Sequence, residues 1–217
     1  MYNVRGRDFP LLNQAVDRPI NREKKYIIKI KGELIMNHLG TKTLETERLI
    51  LRAFSTEDAE DMYRNWASDE EVTRYLTWPV HPNVEGTKAL LGIWEEKARE
   101  TDNYHWCMVL KEIQEPIGSI GVVHMNEQIS AAEIGYCCGR AFWGKNIMTE
   151  AFSAVRDYLF EEVGFNRLEA RHDTKNPASG KVMEKCGLRF EGIKRQGDKN
   201  NTGICDTAYY AMLREDR

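Results

Sequence analysis

Two patterns that would quickly narrow the chemistry are missing from this chain. No Cys-x-x-Cys pair occurs, and the five cysteines, Cys107, Cys137, Cys138, Cys186 and Cys205, are dispersed and odd in number, as the five histidines are scattered. Metal-ligand spacing is absent, so neither a metal site nor a disulfide framework is expected. The cysteines read as reduced core thiols. No stretch approaches the roughly 20 apolar residues that span a bilayer, and the N-terminus lacks the basic, apolar, small-residue order of a signal peptide. A cytoplasmic protein with no membrane partner is expected. Low-complexity runs are missing too, which argues against wholesale disorder.

What is present suits one large domain or a domain with an appendage: 217 residues, 41% hydrophobic and 30% charged, enough to close a full core. Charge is uneven. Residues 1–44 hold nine Lys/Arg against four Asp/Glu, a net of +5, which leaves −8 on the rest. An acidic body argues against direct nucleic-acid binding and is compatible with a cationic acceptor or with an ordinary solvated surface.

Residues 1–35 carry neither a helical stripe nor paired strand patterns. Lys31-Gly32-Glu33 can be encoded by a purine run resembling a bacterial ribosome-binding site, just upstream of Met36. Two readings stay open for 1–35: a translated leader that is not native to the fold, or a flexible basic arm. The domain proper is then 36–217.

From Glu47 the pattern is regular. RLILRAF reads as a strand, and Ser55-Thr56-Glu57-Asp58 is a cap-and-carboxylate signal opening a helix to about Trp66. A short helix over Glu70 to Tyr75, the proline-broken loop LTWPVHPN and a helix from Asn83 to about Arg99 follow. YHWCMVLK, IGSIGVVHM and AAEIGYCC form an antiparallel meander. Ala151, Val155, Leu159 and Val163 recur at the helical period until Gly164 stops the helix. RLEARHD is a strand, Asn176-Pro177 opens a helix through Cys186, and LRFEGIKR and ICDTAYYAML pair across a polar loop, QGDKNNTG. The order describes an α/β domain with one mixed, mostly antiparallel sheet flanked by helices.

Between the third meander strand and the long helix lies CCGRAFWGKNIMTEAF. A strand–turn–helix of this kind presents backbone N–H groups to an anion, and two glycines two residues apart usually make the turn. Gly144 is the first; Asn146 stands where the second would be. Asparagine accepts a left-handed backbone more readily than other non-glycine residues, so the turn is expected to form.

That order and four motifs, LETERLILRAF, AEIGYCCGRAFWGKNIMTEA, NPASGKVMEKCGLRFEG and the late Asp206 with Tyr209-Tyr210, resemble the GNAT superfamily of N-acetyltransferases. Within it they resemble the RimJ/RimL-like branch that acetylates ribosomal-protein N-termini. The resemblance runs from about Leu44 to Leu213 and implies the GNAT acyl-CoA N-acyltransferase fold, with acetyl-CoA as co-substrate and no metal. It implies a pyrophosphate-binding loop of the form Gln/Arg-x-x-Gly-x-Gly/Ala, of which Ala141 and Asn146 replace two side chains. By that resemblance Trp143, Gly144, Asn146, Met148 and Thr149 contact the donor, as do Asn176 and Lys181, while Arg140 and Lys145 lie close enough to the loop in sequence to supply cationic side chains to its phosphates. The backbone of Ile134, Gly135, Tyr136 and Cys137 would pair with the pantetheine amides where two strands splay apart. Solvent exposure is the competing reading for Arg140 and Lys145.

Transfer from a thioester to an amine needs a neutral amine, a polarised carbonyl and a protonated leaving thiolate. Ser179 matches the general acid of RimL-like enzymes, with a plain first-turn position in its helix as the alternative. Asn176 reads as the cap of that helix besides contacting the donor. Asp198 and Glu133 each match a base position, and one of them is expected to serve. Tyr75 and Trp78 are available to line the acceptor pocket, while Trp66 reads as core. The expected activity is acetyl transfer to a primary amine, foremost a protein N-terminal α-amine; a small amine or a non-catalytic acyl-CoA sensor remains open. A monomer and a homodimer both fit.

Overall fold

A computed structural model describes residues 36–217 and the backbone of two short antiparallel strands before them, β1 (Lys29–Ile30) and β2 (Glu33–Leu34). The leader-or-arm expectation for residues 1–35 otherwise lies outside the described residues. Met36 and Leu39 already pack against the larger core.

The body opens with β3 (Leu44–Glu45) and β4 (Leu49–Arg52). Ser55 and Asp58 then form the expected reciprocal cap: Ser55 Oγ accepts from Glu57 N–H at 3.2 Å, and the Asp58 carboxylate accepts from Ser55 N–H at 2.8 Å. A short 3₁₀ turn leads into α1 (Ala59–Met62), which widens into a π turn over Tyr63–Ala67. Next come α2 (Glu70–Thr73), α3 (Val84–Lys97), and the strands β5 (His105–Leu110), β6 (Glu115–Asn126) and β7 (Ala131–Cys138). The long helix α4 (Ile147–Tyr158) ends in a π turn at Val163, closed by Gly164 at φ 101°. β8 (Arg167–Asp173), α5 (Pro177–Lys185), β9 (Arg189–Asn200) and β10 (Gly203–Leu213) complete the chain.

Eight strands make one sheet in the order β3-β4-β5-β6-β7-β8-β10-β9. Strand β5 shows why the sheet needs helices on both faces. Trp106 and Met108 point into the core under α4, whereas Cys107 and Val109 point into a second core with Met62, Trp66 and Leu91 from the early helices. A strand covered on both sides has no polar position to alternate.

All neighbours are antiparallel except β7 and β8. That parallel pairing covers only Ala131 to Glu133 against Arg167 to Glu169. Beyond it, β7 stays with β6 as far as Cys138, while β8 stays with β10 as far as Asp173. The two inner edges therefore part at Glu133, and backbone groups from Ile134 onward have no partner on β8.

Two sequence expectations are corrected. Residues 29–34, read as lacking paired strands, hold the β1–β2 pair. The polar stretch from Gln196 to Asn200 is not a loop but the second half of β9, and only Asn201 and Thr202 turn the hairpin. β9 is an edge strand, exposed along most of its length, so pairing with β10 rather than apolar alternation keeps it extended. Asp198 consequently sits on a strand opposite Cys205. Among the described residues no helix is long and apolar enough to cross a membrane.

Candidate active site

The turn between β7 and α4 forms as its residues demand. Gly144 takes φ +73° and Asn146 φ 57°, ψ 15°, so the asparagine occupies the left-handed position. Its side chain does not cap its own helix; Oδ1 accepts from Lys185 Nζ of α5 at 2.7 Å. The helix's first bond back to the turn is Glu150 N–H to Asn146 O, at 3.1 Å. Earlier N–H groups at this helix end are thus left for an anion. Nothing lies within 4 Å of a Cβ placed on Gly144, so glycine is needed there for its φ and not for space.

This geometry separates two substitutions. Asn146→Gly should keep acetyl-CoA affinity, because glycine takes the same backbone angles without strain. Asn146→Val forces a β-branched residue left-handed at a cost of about 1–2 kcal/mol, so affinity should fall roughly tenfold. Calorimetric titration of both variants checks this, and equal tolerance would refute the turn.

Arg48 clamps the turn from outside. It donates to the Lys145 carbonyl at 3.0 Å and through Nε to Glu150 Oε2 at 2.6 Å, while Thr46 Oγ1 and Arg48 N–H donate to Glu150 Oε1. Burial opposes the Glu150 charge, but these donors outweigh it and hold the carboxyl below its ordinary value. A depressed folded pKa adds stability above the ordinary carboxylate range and loses it as pH falls through the folded value. Glu150→Gln should therefore cost about 2 kcal/mol at pH 7, with the gap from wild type closing in acid. Urea melts at pH 7 and pH 3 check the sign.

A cavity of about 380 Å³ runs from this turn along the end of β7 to the start of α5, and Glu133, Asp198 and the residues of β8 are not in its lining. Of the residues expected from the sequence, Tyr136, Cys137, Trp143, Gly144, Asn146, Met148, Thr149, Asn176, Ser179 and Lys181 line it, joined by Tyr75. Lys185 lines it too and was not anticipated; its spacing of four from Lys181 on a helix was the available signal. α2 and its C-terminal flank supply another wall through Glu71, Val72 and Leu76.

Other expected residues lie elsewhere. Arg140 Nε pairs with Asp69 Oδ2 at 3.1 Å, at the N-cap of α2. Lys145 Nζ sits over the Phe142 ring at 5.9 Å. Neither lines the cavity. Ile134 is buried in the α4 core, and a Cβ on Gly135 would come within 2.7 Å of Val123, so this pair contributes backbone alone. Trp78 packs with the second core and His81 instead of lining the cavity, and Trp66 is fully buried. Asn176 stands at the N-cap position of α5 but makes no side-chain cap bond, which corrects the capping expectation and leaves its amide at the cavity wall.

Ser179 has a partner that its sequence neighbours do not disclose. Tyr136 Oη lies 2.9 Å from both Ser179 Oγ and the Ser179 carbonyl oxygen, two acceptors for its one proton. Burial pushes the Tyr136 phenol well up, outweighing the Ser179 bond, so it stays protonated. The two base candidates also share one partner: Arg171 Nε pairs with Glu133 Oε1 and Asp198 Oδ2, each at 3.1 Å. Burial raises the Glu133 pKa, with Arg171 working against it. Glu133 is also the last β7 residue in register with β8, and so stands at the apex of the opening.

All five cysteines are free. Burial pushes Cys186 up to about 11 and Cys138 to about 12, so neither is a thiolate at neutral pH. Among the described residues no His, Cys, Asp and Glu cluster is arranged to hold a metal.

Comparison with known proteins adds to this geometry. A family model described as "Acetyltransferase (GNAT) domain" matches residues 48–189. The chain is 31% identical over 175 residues to a Bacillus licheniformis protein named uncharacterized N-acetyltransferase p20, covering 81% of this chain and 98% of that protein. It is 25% identical over 158 residues to the ribosomal protein uS5-alanine N-acetyltransferase of Escherichia coli (strain K12), covering 70% and 80% respectively. A crystal structure of a GNAT-family acetyltransferase from Bacillus anthracis superposes with a TM-score of 0.71 at 26% identity, over 80% of this chain and 99% of that one.

Proposed function

Because the chain belongs to the GNAT acetyltransferase family, and so is an N-acetyltransferase, we propose that it transfers acetyl from acetyl-CoA to a protein N-terminal α-amine by direct attack. The observation that carries this reading is one cavity lined both by the anion-binding turn at Asn146 and by the Ser179 hydroxyl. The residues present fit the donor. The α4 N-terminus with Lys181 and Lys185 suits a pyrophosphate, and the unpaired edge of β7 past Glu133 suits a chain of amides. Bound there, acetyl-CoA supplies an activated acyl carbon.

The protein's own groups do the rest. Ser179 donates its hydroxyl proton to the leaving sulfur, and Glu133 takes the proton that the amine must lose. The raised pKa of Glu133 suits a base, and Asp198 helps hold Arg171 beside it. An α-amine, with a pKa near 8, is roughly a tenth neutral at pH 7, whereas a lysine near 10.4 is neutral below one part in a thousand. A single partly buried carboxylate is therefore matched to an α-amine better than to a lysine. The 25% identity to an enzyme named as an alanine N-acetyltransferase of a ribosomal protein supports the same acceptor class, because alanine's side chain offers no amine.

Thiol release in the presence of acetyl-CoA tests the proposal across N-terminal peptides, lysine peptides and small amines. The expected result is selective turnover of N-terminal peptides. Preference for a small amine would replace the acceptor class while leaving the transferase chemistry; no release with any amine would favour an acyl-CoA sensor.

A further inference from the structure

We propose that Tyr136 is the positioning residue for the transfer, its phenol orienting the Ser179 hydroxyl so that the serine proton points into the cavity. This rests on the reading of Ser179 as acid. A hydroxyl in the first turn of a helix usually bonds within its own segment. Here its partner comes from β7, on the other side of the gap from α5.

Proton counting gives the contact its meaning. Tyr136 has one phenolic proton and two acceptors at 2.9 Å, the Ser179 carbonyl oxygen and Oγ. When the phenol donates to the carbonyl, Ser179 Oγ–H donates to the phenol oxygen and its proton is withdrawn from the cavity. When the phenol donates to Oγ, the serine proton is freed for an acceptor in the cavity. A brace for α5 would need only the carbonyl contact; the second one selects the direction of the hydroxyl.

The phenol is well placed for this. Its ring meets Phe152 edge-on, with centroids 5.6 Å apart and planes at 80°. Burial keeps it protonated, so it serves as a donor throughout the neutral range. In the transfer, the amine N–C bond forms and the C–S bond breaks, and Ser179 passes its proton to sulfur. As charge develops on the Ser179 oxygen the Tyr136 proton moves toward it, and a proton from solvent restores the pair before the next turnover.

CoA itself, bound as the free thiol, tests this without any acceptor amine. The readout is the pKa of the bound thiol, followed by thiolate absorbance, with melting temperature measured beside it. A donor aimed at sulfur lowers that pKa, so Tyr136→Phe should raise it by about one unit, as should Ser179→Ala, with the double variant no further shifted. Replacing Tyr136 with 3-fluorotyrosine, a more acidic phenol that keeps both hydrogen bonds, should lower it; this arm carries the test if Tyr136→Phe does not fold. A shift in Ser179→Ala without one in either Tyr136 variant overturns the proposal and leaves Ser179 as acid. No shift in any variant overturns both readings. A shift on altering Tyr136 with none in Ser179→Ala would make the phenol the direct donor and also overturn it.

Discussion

Ser179→Ala is expected to lower kcat by about 10²- to 10⁴-fold while leaving the acetyl-CoA dissociation constant nearly unchanged. The loss is confined to the transition state because the hydroxyl's proton is needed only as the sulfur departs. The ground-state wall survives: with the serine hydroxyl gone, the Tyr136 phenol has the carbonyl of residue 179 as its acceptor, which alanine retains. The cavity keeps Lys181, Lys185 and the Asn146 turn for the donor. If the serine only supports the start of α5, the variant should lose about 1 kcal/mol of stability with turnover intact. Melting temperature, donor affinity and turnover measured on one preparation separate the cases. A less stable but fully active variant would retire the acid assignment.

Glu133→Gln should cost turnover on the same scale, about 10²-fold or more at pH 7, with a pH signature of its own. The amide cannot take a proton, so the variant depends on amine that is already neutral. For an α-amine that fraction is roughly a tenth at pH 7 and about nine-tenths at pH 9. The deficit relative to wild type should therefore shrink toward pH 9. Removing the charge also frees Arg171 to pair with Asp198 alone, so Asp198→Asn is the control. It should have the smaller effect, because Glu133 keeps its arginine and its raised pKa. A larger loss in Asp198→Asn, or a Glu133→Gln deficit independent of pH, would move the base away from Glu133.

Much of this fold and some of its site could be read along the chain, and the divide follows the range of the interactions. The cap at Ser55, the stop at Gly164 and the stripe of α4 are set by residues within a few positions of one another. The left-handed Asn146 belongs with them, because φ is limited by the residue's own sterics. Arg140 shows where such reading stops: nearness in sequence suggested phosphate, yet Asp69 holds it, from a helix 71 positions away. The Tyr136–Ser179 contact spans 43 positions, and nothing local to either residue announces it.

By itself, the sequence determined most of the elements, the left-handed turn at Asn146 and the family motifs, since each is a matter of local backbone and periodicity. Tertiary structure alone decided the opening between β7 and β8, because where two strands part depends on which neighbours hold them: β6 and β10 keep their partners after the parallel pairing stops at Glu133. It decided that β9 runs through a polar stretch, since edge pairing and not burial holds it there. It also decided the electrostatics of the site. Two carboxylates far apart in the chain meet one arginine, and burial, a property of the assembled core, sets which protons Tyr136 and Glu133 keep.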